Sequence, residues 1–227
     1  MDAYTQGYTQ VYNRMYEKRT FLTYVFINLI IQLCITYYVM NRKTNPEINI
    51  ILLFIAQIAI VVILSLAKLP EYAKLLLFTL FSYLFGIFFF QLREKYDYNK
   101  EAINVAIAGA ASVFITMMIV GIVLIAGGIR LGYKFGILLF FSLLALIIAR
   151  LVFYVTTGVR ATTAARMSDT HKVFASVGIF IFAGYVLYNT NRILQKNYKE
   201  QYITASLDYY LDFINLFANS LQNGDNY

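Results

Sequence analysis

The chain has little of what a water-soluble enzyme needs. Charged residues make up only 14% of it and hydrophobic residues 60%, where a soluble domain carries about 25% charge. A water-soluble fold of 227 residues could not hide so much apolar surface, so lipid must take the place of water on its outside. The single cysteine, Cys34, excludes an intrachain disulfide and leaves the redox compartment open. The single histidine, His171, falls in a polar stretch that reads as a loop. No His/Cys/Glu cluster has metal-ligand spacing, and no Gly-x-Ser-x-Gly elbow is present. Neither an enzyme nor a bound cofactor is expected. The formal net charge of +7 suggests nucleic acid at first sight, but the Lys and Arg are scattered among short connections. They are expected to anchor helix ends at the lipid headgroups. No secretory signal peptide is visible, because the first twenty residues are polar and the first apolar run is too long for one.

What is present is a series of apolar runs. A spanning helix needs about 20 mostly apolar residues, and seven segments meet or nearly meet that test: 21–40, 48–69, 73–92, 102–126, 135–155, 173–193 and 202–221. The expectation is an all-α polytopic membrane protein, with a polar segment 1–20, a seven-helix domain 21–221 and a short tail 222–227. The breaks have chemical causes: Asn45-Pro46, Leu69-Pro70, the six charges between Arg93 and Glu101, Gly127-Gly128, and the polar stretches Arg160–Lys172 and Gln195–Gln201. Orientation is weakly specified, since an inner N-terminus puts ten Lys/Arg inside and nine outside. The fourth segment is rich in small residues (Ala106, Gly109, Ala110, Ala111, Ser112, Gly121), which let helices approach closely.

The seventh segment differs from the rest. Asp208, Asp212, Asn215 and Asn219 recur at i, i+4, i+7 and i+11, which is one stripe of a helix. A carboxylate facing hydrocarbon costs several kcal/mol, so the stripe should face protein or water, and intramembrane acids are functional candidates by default. Asp208 is close enough to the segment's start to be simply solvated, whereas Asp212 lies near its middle. If both are buried on one face, like charges disfavour double ionisation and the pair becomes pH-sensitive. Five further polar groups stand in or at the ends of apolar runs. Gln57 is inside the second, Lys68 and Arg150 are near segment ends where long basic side chains snorkel to the interface, and Arg192 follows Asn189. Lys68 or Arg150 are alternative counter-charges for Asp212.

These residues carry a resemblance. Leu207–Phe217, reading LDYYLDFINLF, resembles the closing helix of the Bax inhibitor-1 family, also called the transmembrane BAX inhibitor motif family. Tyr185–Asn191, reading YVLYNTN, is similar to that family's sixth-helix end. Phe21-Leu22, Val25-Phe26, Leu29, Gln32-Leu33 and Thr36 match the first-helix pattern of its lifeguard and Golgi anti-apoptotic branch. The resemblance implies six helices around a central seventh, a pH-regulated Ca²⁺ leak, and suppression of cell death in eukaryotes and their viruses. It implies an ER or Golgi membrane for a eukaryotic or viral chain and a plasma membrane for a bacterial one. Ca²⁺ would be the permeant ion, and membrane cell-death regulators would be partners beside the bilayer itself.

The family's pH sensor pairs an aspartate on helix six with one on helix seven, and the second maps onto Asp212. The first maps onto Asn189, and an amide cannot share a titrating proton. An amide that donates to a carboxylate favours its ionised form. Asp208, one turn before Asp212, stands where the family usually has a small or uncharged residue, so the second carboxylate has either moved to helix seven or been lost. Gln57 falls where some bacterial relatives carry a Glu, and Lys68 where they carry a basic residue. The alternative to a leak is a non-conducting protein that modulates apoptosis or stress partners through its helices.

Overall fold

The computed structural model describes residues 9, 11–13, 15–44, 46, 48–96, 98–157, 169–195 and 201–224. Among them there is no strand. The helices whose bounds are described follow in order: α1 Arg19–Met40, α2 Ile50–Leu66, α3 Glu71–Tyr96, α4 Lys100–Ala126, α5 Tyr133–Thr157, α6 Asp169–Gln195 and α7 Tyr202–Asn223. Five of these, α1 and α3 to α6, are long and apolar enough to cross a membrane. α2 is apolar but has only 17 residues, about 26 Å at 1.5 Å per residue. α7 has the length, but its polar stripe lowers its hydropathy. The apolar helices make this an integral membrane protein.

Helix ends follow local chemistry. The Asn49 side chain caps α2 by accepting from the Ile51 backbone N–H at 2.9 Å. α3 begins directly after Pro70, with Glu71 in its first turn and Arg93 and Lys95 in its last, the arrangement the helix dipole favours. α4 ends in a Schellman motif: Gly128 has φ +80°, its N–H donates to Ile125 O at 2.9 Å, and Ile129 N–H donates to Leu124 O at 2.8 Å. A side chain at position 128 would be strained, which is why the Gly-Gly pair marks this turn.

Two expectations need correction. The third segment does not end at residue 92: α3 runs to Tyr96 and α4 starts at Lys100, so most of the charged stretch Arg93–Glu101 is helical. Charge decides where a helix leaves the hydrocarbon, not where its backbone hydrogen bonds stop. Likewise His171 is not a loop residue. It lies in the first turn of α6, its ring edge-on to Phe153 at 5.2 Å. The polar stretches 1–8, 160–168, 196–200 and 225–227 lie outside the described residues.

The chain forms two compact units. The N-terminal unit holds Lys18–Asn99 and Tyr198–Tyr210. In it α1 and α2 pack on α3. A Cβ at Gly86 of α3 would fall 2.9 Å from the Thr36 carbonyl oxygen, so glycine sets the approach of α3 to α1. The C-terminal unit holds Met1–Glu17, Lys100–Asn197 and Leu211–Tyr227, and there α4 and α5 pack on α6. Gly121 of α4 sits against Thr190, where a Cβ would meet the Thr190 Cβ at 3.0 Å. Ala106 and Ala110 are buried on the same helix, whereas Ser112 is exposed and bonds its own helix at Ala108 O, 2.8 Å away. The small residues Ala106, Ala110 and Gly121 thus form a packing face that leaves Ser112 out.

Candidate functional site

The centre of the site is one side-chain pair in the C-terminal unit. Asn189 of α6 donates its Nδ2–H to Asp212 Oδ2 of α7 at 2.8 Å. Asp212 is 4% exposed and Asn189 6%. A carboxylate this deep in an apolar protein needs hydrogen-bond donors to compensate for lost water, and Asn189 supplies one. Tyr185, one turn earlier on α6, lies within electrostatic reach of Asp212. Tyr185 and Asn189 therefore share the α6 face turned toward the acid.

The residues around Asn189 do separate tasks because successive helical residues point about 100° apart. Tyr188 packs under Gly136 of α5, where a Cβ would come within 2.9 Å of its ring. Thr190 fills the space left by Gly121 of α4. Asn191 is fully buried and ties down the turn between α4 and α5. Its Oδ1 accepts the Leu131 N–H at 2.8 Å, its Nδ2 donates to Ile129 O at 3.2 Å, and Gln195 Nε2 also donates to Oδ1. The Tyr-Asn-Thr-Asn run thus fixes α6 against α5, α7, α4 and a turn at once.

A second polar contact lies two turns further along α7. Arg150 Nη2 of α5 donates to Asn219 Oδ1 at 2.7 Å and to the Phe174 carbonyl at 3.0 Å. Asn219 in turn donates to Asn215 O at 2.7 Å, and Asn215 donates to Leu211 O at 2.7 Å. Gly178 of α6 leaves room for Asn219, since a Cβ there would sit 2.6 Å from its Cγ. Arg150 therefore meets the polar stripe at Asn219, and its carbonyl contact joins α5 to α6.

The other candidates are placed as follows. Asp208 is half-buried, one turn before Asp212 on the same helix. Arg192 is half-buried near the end of α6. Lys68 is exposed beyond the last residue of α2. Gln57 is buried within α2, its Nε2 without a hydrogen-bond partner among the described residues. Gln57 and Lys68 belong to the N-terminal unit, whereas Asp212, Asn189, Asn215, Arg150 and Arg192 belong to the C-terminal one.

A polar cluster of the N-terminal unit was not singled out as a site by sequence reasoning. Thr36 Oγ1 and Tyr210 OH are 2.6 Å apart, and Thr36 also donates to Ser82 O at 3.0 Å. Gln32 Nε2 reaches Asn28 Oδ1 at 3.2 Å and Thr79 Oγ1 at 3.3 Å. Ser206 donates to Val25 O at 3.0 Å. The available signal is the spacing of Asn28, Gln32 and Thr36 at i, i+4 and i+8, the same periodicity that marks α7.

Apolar helices and a buried carboxylate held by an amide from another helix define a class: polytopic α-helical membrane proteins with an interior acid. The chain belongs to the family described as "Inhibitor of apoptosis-promoting Bax1", whose model matches residues 14–223. It is 38% identical to Bax inhibitor 1 of Schizosaccharomyces pombe over 99 residues, 41% of this chain and 34% of that protein. It is 40% identical to the Golgi anti-apoptotic protein of Vaccinia virus over 50 residues, 22% of this chain and 21% of that protein. With lifeguard 4 of Mus musculus it shares 36% identity over 50 residues, 22% of this chain and 21% of that one. The matched stretches thus span between a fifth and a third of these relatives.

Proposed function

We propose that this chain suppresses cell death from within a membrane by leaking Ca²⁺, with Asp212 as the interior acid on the ion's path. Relatives named for Bax inhibition and for a Golgi anti-apoptotic role support the first half of this reading. The observation that carries the second is the Asn189–Asp212 hydrogen bond at 2.8 Å. An N–H donor suits an ionised carboxylate, which accepts and cannot donate. An ionised acid held inside an apolar bundle is a natural counter-charge for a passing divalent cation.

The amide also bears on regulation. With Asn189 in place of a second carboxylate there is no shared proton between α6 and α7. The leak then lacks the inter-helix acid pair as a pH gate, and Asp208 is left as the nearby acid on α7. Ca²⁺ release from liposomes carrying the purified chain tests the reading. Flux that disappears in Asp212→Ala supports it. No flux at any pH in the unaltered chain overturns it and favours a non-conducting protein acting through helix contacts.

A further inference from the structure

We infer that the groove along α1 in the N-terminal unit is a binding site for an anionic glycerophospholipid. One acyl chain lies against Ile31, Cys34 and Ile35, and the phosphate meets Arg42. The groove holds about 430 Å³, and Tyr83 of α3 lines it opposite the α1 residues. Ile31, Cys34, Ile35 and Tyr38 follow helical spacing within α1, so they lie on one face, and Arg42 lines the groove from just beyond the helix end.

Its length fits one leaflet. Ile31 lies nine residues before Met40, the last residue of α1, about 14 Å along the helix, and half of a hydrocarbon core is about 15 Å. Arg42 follows the end of α1 at Met40 and is exposed, which places it at headgroup level. There its guanidinium lies 5.3 Å from the Tyr38 ring centroid, a cation–π contact that fixes the charge at the mouth of the groove. Arg42 is the one charge among the described residues lining the groove. Arg93 of α3 adds a second cation at this end, its Nη1 reaching Asn41 Oδ1 at 3.5 Å. Glu94 is the neighbouring acid, flanked by Arg93 and Lys95. A guanidinium binds a phosphate with two parallel N–H donors, whereas a zwitterionic lipid brings its own cation to the same place.

Cys34 is exposed, lines the groove and is the chain's single cysteine, so it reports occupancy without engineering. The test follows the rate at which N-ethylmaleimide alkylates Cys34 in the full chain in detergent, with phosphatidylglycerol, phosphatidylcholine or inorganic phosphate added. The expected result is several-fold slowing by phosphatidylglycerol and little by the other two. Arg42→Gln should remove the difference between the lipids, and Arg130→Gln, at an exposed cation of the other unit, should keep it. Arg42 is exposed, and an unchanged thermal unfolding midpoint in detergent shows that the variant retains its fold. Equal protection by both lipids, a preference that survives Arg42→Gln, or protection by inorganic phosphate alone overturns the site. Protection that instead rises with protein concentration in the absence of lipid assigns the groove to a second copy of the chain and also overturns it.

Discussion

The two halves of α7 are built from different polar chemistry. Up to Tyr210 the fully buried polar side chains are hydroxyls: Ser206 and Tyr210 each reach α1, through Val25 O and Thr36 Oγ1, while Asp208 between them is half-buried. From Leu211 onward it uses an acid and amides: Asp212 and Asn219 are buried and meet Asn189 and Arg150. A hydroxyl can satisfy itself on a carbonyl of its own turn, as Ser206 also does at Tyr202 O, 2.7 Å away. A carboxylate has no such local donor inside a helix, so Asp212 requires a partner from another element. The hydroxyl half therefore reads as a joint, and the acidic half as the place where chemistry is concentrated.

The largest effect expected is from Asp212→Ala, which should abolish Ca²⁺ flux in liposomes while the protein still inserts. Flux that persists would erase the distinction between the halves. Next comes Asn189→Asp, which creates an acid pair across α6 and α7. Flux measured between pH 5 and 8 should become strongly pH-dependent, because two close carboxylates do not both ionise freely. Asp208→Asn is the companion measurement: an unchanged pH profile would show that the second carboxylate has not moved onto α7.

Two smaller effects concern stability. Gly86→Ala pushes a methyl against Val39 and the Thr36 carbonyl oxygen. It should lower stability in detergent by about 1–3 kcal/mol, the usual cost of overpacking, read as an earlier thermal unfolding midpoint. The smallest effect is expected for Tyr210→Phe, which leaves the packing against Phe78 intact, with ring centroids at 5.3 Å, and removes one hydroxyl contact to Thr36. A loss of about 0.5–1.5 kcal/mol with unchanged flux would keep the hydroxyl half structural. A loss of flux would make both halves functional.

Much of this was legible in the residue order. Breaks at Leu69-Pro70 and Gly127-Gly128 are local signals, and a helix start and the Schellman motif occur there. The stripe on α7 was legible because polarity against an apolar background has a period. The ends of α3 and α6 were not, since Arg93–Tyr96 and Asp169–Lys172 are polar yet helical. Backbone hydrogen bonding continues through charged residues once a helix has left the lipid.

Within the site, the sequence alone determined that the chain is helical and membrane-embedded and that Asp212 is an interior acid, and its family resemblance added that Asn189 stands where a second acid is expected. It left Lys68 and Arg150 as equal candidates for a counter-charge. Only tertiary structure decided that Arg150 reaches Asn219 and the Phe174 carbonyl, and that Asn191 clamps the turn after α4. Periodicity fixes which face of a helix is polar. Which group on another helix meets that face depends on rotation and axial offset, and those are set by contacts such as Gly121 on Thr190 and Gly178 on Asn219, between residues far apart in the chain.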